Sequence, residues 1–184
     1  MNLRIIAALA LVGLALAGCH RSPPAAPAPP AASNVATATA PTLHLNHAQT
    51  GLPRVKLWLG NLEIDSEVCL TLPQVATGLM HREGIGPEET MLFVFRNPDQ
   101  RAFYMKNVKF PISVAYIDPE GAIAEVVQLK AFDTNPVPSH VNNIQFVLEA
   151  APDFYDRHGL RPGTVITTAQ GNLQKVLAAR SQVW

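Results

Sequence analysis

Between Arg54 and Thr168 the apolar residues of this 184-residue chain come in short runs that turn-forming residues separate. The first run spans 54–59, Gly60-Asn61 suits a tight hairpin turn, and a second run returns over 62–70. Alternating apolar and polar residues in runs this short predict β strands that have one buried face. We therefore expect an α+β, mainly β domain: a compact, mostly antiparallel sheet or barrel-like structure with two short helices.

The same pattern predicts the remaining elements. Thr71 with Gln74 fits a capping box at a helix start, and Pro152 suits the first position of a second short helix. Further strands are predicted at 91–95, 101–108, 112–117, 123–129, 144–149 and 164–168. In the second strand, Cys69 shares a face with acidic residues, so its thiol is expected to point towards solvent.

The first residues have the pattern of a secretory signal. A basic start is followed by an apolar stretch that is too short to span a bilayer, and Leu16-Ala17-Gly18-Cys19 resembles the bacterial lipobox. That resemblance implies cleavage before Cys19 and lipidation of its thiol and amine. The alternative is an ordinary cleaved signal peptide with an incidental cysteine.

These observations divide the chain into four parts. We predict a signal peptide at 1–18, a lipidated and disordered Pro/Ala-rich tether at 19–50, a folded domain at 51–172 and a C-terminal tail at 173–184. With His20 rather than aspartate after the cysteine, the lipobox resemblance implies the outer membrane. The membrane, reached through the Cys19 anchor, is the first predicted partner.

Charge and cysteine content narrow the function. The formal net charge is zero, which gives no electrostatic basis for binding nucleic acid. If Cys19 is lipidated, Cys69 is the one remaining cysteine and no intrachain disulfide can form. No cofactor or metal pattern, such as a phosphate loop or His-Glu-x-x-His, is present, so we expect none.

Three separated motifs carry a resemblance to a known family. They are Gly78-Leu79-Met80-His81-Arg82, Met91-Leu92-Phe93-Val94-Phe95 and Phe103-Tyr104-Met105-Lys106-Asn107. In this order they resemble the domain-of-unknown-function family 192, also known as uncharacterised protein family 0127. The resemblance implies a compact β-rich fold, often behind a secretion signal, and no agreed activity.

The chain departs from the family pattern at four positions. The family usually has tryptophan at Tyr104, threonine at Val108 and aspartate at both Ser113 and Thr164. A role that needs those two carboxylates is therefore not expected in this chain.

The predicted strand 101–108 offers the best candidate ligand surface. Tyr104 and Lys106 are two residues apart and would lie side by side, joined by Arg82, Asn107 and Glu149. An aromatic ring beside an ammonium group suits a small polar ligand, so we expect the domain to bind such a ligand or an envelope protein. The alternative is structural: Lys106 pairs with Glu149, Asn107 holds the Pro111 turn and Tyr104 covers the core.

Two other functions stay open. An enzyme acting on an envelope substrate would need a nucleophile such as Cys69 with a histidine brought near it, or a working Ser139-His140 pair. Copper binding is suggested by soft side chains, which are Met80, His81, Met91, Met105 and Cys69. Their spacing favours packing, since methionine often fills cores.

Overall fold

A computed structural model describes residues 43–184. The predicted signal peptide, Cys19 and most of the predicted tether lie outside the described residues. In residues 43–184 no helix has the length and apolar character needed to cross a membrane.

The described chain is built mainly from strands. In chain order its first half contains β1 (Arg54–Leu59), β2 (Leu62–Cys69), α1 (Leu72–Thr77), β3 (Thr90–Asp99), β4 (Ala102–Phe103) and β5 (Ile112–Ile117). The second half contains β6 (Ile123–Leu129), β7 (Val137–Pro138), β8 (Ile144–Ala150), α2 (Phe154–Arg157), β9 (Ile166–Thr168), β10 (Gly171–Asn172), α3 (Leu173–Leu177) and a 3-10 turn (Ala178–Arg180).

Eight strands form one sheet in the order β10-β9-β1-β2-β3-β8-β5-β6, and β4 pairs with β7 in a separate two-stranded sheet. Every strand pair is antiparallel except β2 with β3. The helix α1 lies in the connection between these two parallel strands. The prediction of a mainly β, mostly antiparallel fold is confirmed.

The sheet curls so that its two ends meet. Ala122, at the start of β6, forms an isolated antiparallel bridge with Val165, just before β9. Ile166 N–H donates to the Gly121 carbonyl at 2.8 Å, and Ile123 N–H donates to the Thr164 carbonyl at 2.9 Å. These contacts give the sheet a barrel-like form, which is one of the two forms, open sheet or barrel-like, that the sequence left open.

Alternation along the strands produces two hydrophobic clusters, one on each face of the sheet. On β3, Leu92 and Val94 belong to the first cluster, which α2 and α3 complete with residues such as Phe154 and Leu177. Met91, Phe93 and Phe95 belong to the second cluster, which also contains Cys69, Met80 and Met105. The second cluster holds the candidate site.

Most predicted elements occur within a few residues of their predicted bounds. The hairpin at Gly60-Asn61 is confirmed by the pairing of Leu59 with Leu62. The capping box is present at Thr71, whose N–H donates to Gln74 Oε1 at 3.0 Å.

The predicted strand 101–108 is wrong beyond its first residues. Only Ala102–Phe103 is a strand. Met105 N–H donates to the Asp133 carbonyl at 2.6 Å, and Asn107 has a φ of 58°, so the backbone leaves the extended conformation.

Ordered residues extend beyond both ends of the predicted 51–172 domain. Near the first end, Gln49 is buried and Leu45 N–H donates to Thr77 Oγ1 at 2.9 Å. In the segment predicted as a C-terminal tail, α3 forms, Ser181 Oγ donates to the Val94 carbonyl at 2.6 Å, and Arg96 N–H donates to the Val183 carbonyl. The C-terminal segment therefore packs as part of the domain.

Candidate functional site

Glu149 is the carboxyl group at the centre of the second cluster. It lies on β8, opposite Met91 of β3 and Val114 of β5. The residue is 5% exposed, and its Oε2 has no hydrogen-bond partner among the described residues. A buried polar atom without a partner is costly, which marks this position for a role other than packing.

Burial controls the charge of Glu149. Loss of solvation raises the pKa of its carboxyl from 4.5 to about 8, and the positive charge of Arg82 opposes part of that rise. At neutral pH the carboxyl is therefore mostly protonated. The protonated carboxyl can donate one hydrogen bond and accept others, whereas the carboxylate, formed when a cation replaces the proton, only accepts them.

A cavity of about 300 Å³ opens beside Glu149. Its wall is mostly apolar and aromatic, and it lies between α1, β3 and the segment around β4. The lining residues are Val75, Ala76, Thr77, Gly78, Leu79, Met80, Phe93, Phe95, Gln100, Arg101, Ala102, Phe103, Tyr104, Val108 and Glu149. A concave apolar site with few polar groups, at the small end of the usual volume range, is typical of small-molecule binding.

The aromatic wall is fixed by edge-to-face packing. The rings of Phe93 and Phe103 lie 5.0 Å apart at 81°, and the ring of Phe103 lies 6.2 Å from that of Tyr116 at 74°. The Tyr116 hydroxyl donates to the Val137 carbonyl at 2.6 Å, which ties this group to β7. The wall therefore offers preformed ring faces and edges.

Gly78 lets the backbone after α1 approach this wall closely. Its φ is +47°, and a Cβ there would lie 3.2 Å from Phe93 Cζ and 3.9 Å from Glu149 Oε2. Glycine provides both the unusual backbone angle and the space. The Gly78-Leu79-Met80 motif thus encloses the cavity above the carboxyl group.

Behind Glu149 lies a paired charge group. Arg82 Nη1 forms a salt bridge with Glu67 Oε2 at 2.7 Å, and Nη2 donates to the Gln49 carbonyl at 3.2 Å. Gln49 Nε2 in turn donates to the Gly78 carbonyl at 2.8 Å. Arg82 is therefore held near Glu149, with its charge already balanced by Glu67.

The expectation that Cys69 points to solvent is wrong. Its side chain is fully buried in the second cluster, 3.8 Å from Gln49 Nε2. The connection through α1 and the residues before β1 cover this end of β2, which the alternation within one strand could not show. Burial raises the pKa of the Cys69 thiol, so it stays protonated and unreactive near neutral pH.

Of the other predicted site residues, the structure brings Tyr104 to the cavity and leaves Lys106 outside it. Tyr104 is 40% exposed at the cavity rim. Lys106 is exposed and lies 3.3 Å from His44 Nε2, so the predicted Lys106–Glu149 pair is absent among the described contacts.

Asn107 N–H₂ approaches Met80 Sδ at 4.0 Å, and its carbonyl accepts from His81 N–H. Asn107 therefore organises the loop after α1 and does not line the cavity.

Arg101 is a cavity residue that sequence reasoning missed. Its guanidinium lies 4.0 Å above the centre of the Phe95 ring. Its nitrogens donate to the carbonyls of Asn97, Ile144 and Trp184. Phe93 and Phe103 were likewise not predicted as site residues, although they lie, with Gly78, in the three motifs. Gln49 was not predicted either.

The soft side chains considered for copper gather in the second cluster. Met80, Met91, Met105 and Cys69 are all buried there. Within residues 43–184 no three His, Cys, Asp or Glu side chains come together in an arrangement that could hold a metal ion. Packing accounts for the positions of the methionines.

A curled, mainly antiparallel sheet with an aromatic cavity around one buried carboxyl group defines the structural class. Residues 55–168, more than half of the chain, match the model of DUF192, described as an uncharacterized ACR. The chain belongs to the DUF192 family.

Two crystal structures share the fold. One, from Sinorhizobium meliloti 1021, is provisionally described as a transcription regulator; it is 24% identical, with a TM-score of 0.59, over 66% of this chain and 98% of that one. The other is a protein of unknown function from Novosphingobium aromaticivorans DSM 12444; it is 26% identical, with a TM-score of 0.58, over 65% of this chain and 89% of that one. No curated protein shows a significant match.

Proposed function

We propose that this chain is a lipid-anchored protein of the bacterial envelope whose domain binds a small amphiphilic molecule in the cavity at Glu149. The observation that carries the binding proposal is the unpartnered, buried Oε2 of Glu149 in an aromatic cavity of about 300 Å³. The apolar body of the ligand packs against Phe93 and Phe103, and its polar group bonds to Glu149.

A thermal-shift screen of the Cys19→Ser chain against small aromatic and aliphatic compounds tests the binding. A compound at about a hundred times its Kd adds about 2.7 kcal/mol, which raises Tm by several degrees. Phe103→Ala removes part of the wall and abolishes the shift. Phe110→Ala is the matched control, since Phe110 is another half-buried phenylalanine of the second cluster that does not line the cavity. Equal shifts in both variants would place the ligand elsewhere.

The anchor proposal rests on the Leu16-Ala17-Gly18-Cys19 motif and the Pro/Ala-rich segment after it. Cys19→Ser should move the protein from the membrane fraction to the soluble periplasm and abolish labelling with a palmitate analogue. Cys69→Ala is the control and should stay in the membrane fraction. Outer and inner membranes are then separated on a density gradient to test the predicted outer-membrane location.

One observation favours acid–base catalysis as a second candidate function. A carboxyl group with a pKa of about 8 exchanges its proton near neutral pH, as general acids and bases do. If the domain is an enzyme, Glu149→Gln abolishes turnover of a compound that still binds. The buried, protonated Cys69 gives no support to the thiol-based alternative.

A further inference from the structure

We propose that the cavity is selective for protonated amines, and that each bound amine displaces one proton from Glu149. This inference rests on the proposed function and adds the chemical class of the ligand. It follows from the charges around the cavity and from the chemistry of its wall.

The charge count around Glu149 leaves one negative charge without a partner. Arg82 supplies one positive charge, whereas Glu67 and Glu149 supply two carboxyl groups, and Arg82 bonds to Glu67 at 2.7 Å. Glu149 must therefore be neutralised by a proton or by a cation that enters the cavity. An ammonium group meets this need and donates a charge-assisted hydrogen bond to the carboxylate, which lines the cavity.

The residues that line the cavity also favour a cationic ligand. Aromatic rings attract cations, and Phe93, Phe103 and Tyr104 line the same cavity as Glu149. Arg101 is the positive group at the cavity that could attract an anion. Its guanidinium is already stacked on Phe95 and donates to three backbone carbonyls, so it is less available than Glu149.

The proton balance is simple. The Glu149 carboxylic acid loses its proton to solvent, and the resulting carboxylate pairs with the ammonium group, which keeps all of its protons. The other titratable groups on the Glu149 side of the sheet are Arg82 after α1, Glu67 and Cys69 on β2, and Tyr116 on β5. Tyr155 on α2 lies on the opposite face, where its hydroxyl donates to the Leu148 carbonyl. Burial raises the pKa of Cys69, Tyr116 and Tyr155, so these three stay neutral between pH 6 and 9 and Glu149 alone supplies the proton.

Three probes of similar shape test the inference by calorimetry on the Cys19→Ser chain. They are 2-phenylethylamine, which is cationic, 2-phenylethanol, which is neutral, and phenylacetate, which is anionic. We expect the amine to bind at least about tenfold more tightly than the alcohol at pH 7. Titrations in phosphate and in HEPES, neither of which is a cationic amine at pH 7, should show close to one proton released per amine bound, and none per alcohol bound.

The pH dependence adds a second readout. The Kd of the amine should fall by up to about tenfold per pH unit up to pH 8 and become constant above it, because Glu149 is then already ionised. Glu149→Gln should remove both the preference for the amine and the proton release while the alcohol still binds. Glu120→Gln, which removes an exposed carboxylate from the β5–β6 turn, should change neither.

The outcomes separate the two proposals. Equal affinity for amine and alcohol, or preference for phenylacetate, overturns the amine inference and leaves the ligand site standing. Binding of the amine without proton release also overturns it. If none of the three probes binds and the wider thermal-shift screen is also silent, the proposed function itself fails.

Discussion

At the scale of single residues, Glu149 is the group whose environment differs most from that of an ordinary surface residue of its type. Its carboxyl is buried, has an oxygen without a hydrogen-bond partner in residues 43–184, and lies near an arginine that pairs with another carboxylate. If this position served packing alone, a neutral side chain would fill it with a smaller desolvation penalty.

The raised pKa of Glu149 makes the free energy of unfolding depend on pH. The unfolded chain loses this proton near pH 4.5, whereas the native state keeps it to about pH 8. The contribution of Glu149 to stability is therefore fully present below pH 4.5, falls by up to about 1.4 kcal/mol per pH unit between the two values, and falls no further above pH 8. Glu149→Gln lacks this slope. Urea unfolding from pH 5.5 to 8.5 measures it, and equal slopes in both proteins would contradict the raised pKa.

The sequence pointed to Glu149 but not to its environment. The structural alternative paired Glu149 with Lys106, because ion pairs are common at strand surfaces. Two of the three residues on the Glu149 face of β8, Gln145 and Glu149, are polar, a pattern that favours an exposed face, yet every residue of β8 is buried. Which loops cover Glu149 depends on contacts far apart in the sequence, and alternation along one strand cannot supply them.

At the scale of elements, α1 is short and is held by residues outside it. Six residues make a marginal helix, so tertiary contacts must fix its end. Gln49 Nε2 donates to the Gly78 carbonyl at 2.8 Å and to the Gln74 carbonyl at 3.1 Å. Gln49 therefore keeps the last turn of α1 against the cavity.

Gln49→Ala should lower the free energy of unfolding by about 2–4 kcal/mol. The change removes two hydrogen bonds and leaves their carbonyl acceptors without this donor. Thr50→Ala, at the exposed neighbouring position, should change stability by less than about 0.5 kcal/mol. Urea unfolding of both variants measures the difference. A loss below about 1 kcal/mol for Gln49→Ala would show that α1 does not depend on this contact.

The start of α1 could be predicted from its capping box, since Thr71 and Gln74 are close in sequence and the signal is local. Gln49 could not be recognised, because it lies 25 residues before Gln74, at the end of the segment predicted as a tether. A helix cap formed by residues close in sequence can be predicted from the sequence, whereas hydrogen bonds from one polar residue far away in sequence cannot.

At the scale of the whole molecule, closure of the sheet depends on a close backbone approach at Gly121. A Cβ at this position would lie 2.5 Å from the Ile166 carbonyl oxygen, and the φ of Gly121 is +90°. The same glycine accepts the hydrogen bond from Ile166 N–H. Any side chain here forces the two ends of the sheet apart.

Gly121→Ala should lower stability by about 3 kcal/mol or more, since strain at positive φ adds to the steric clash. Gly163→Ala is the matched control, because its φ is +91° and a Cβ there meets nothing within 4 Å. Gly163→Ala should lower the free energy of unfolding only through backbone strain, by about 1–2 kcal/mol. Thermal unfolding of the two variants compares them, and equal losses would show that closure at Gly121 contributes nothing.

The two clusters on opposite faces of the sheet have a consequence for how this domain can change over generations. Substitutions that reshape the Glu149 cavity lie in one layer, and those that support the barrel-like closure lie in the other. Effects of residues more than about 7–10 Å apart that share no partner are close to additive. Substitutions in the cavity layer can therefore reshape the cavity, while the other layer preserves the ability to fold.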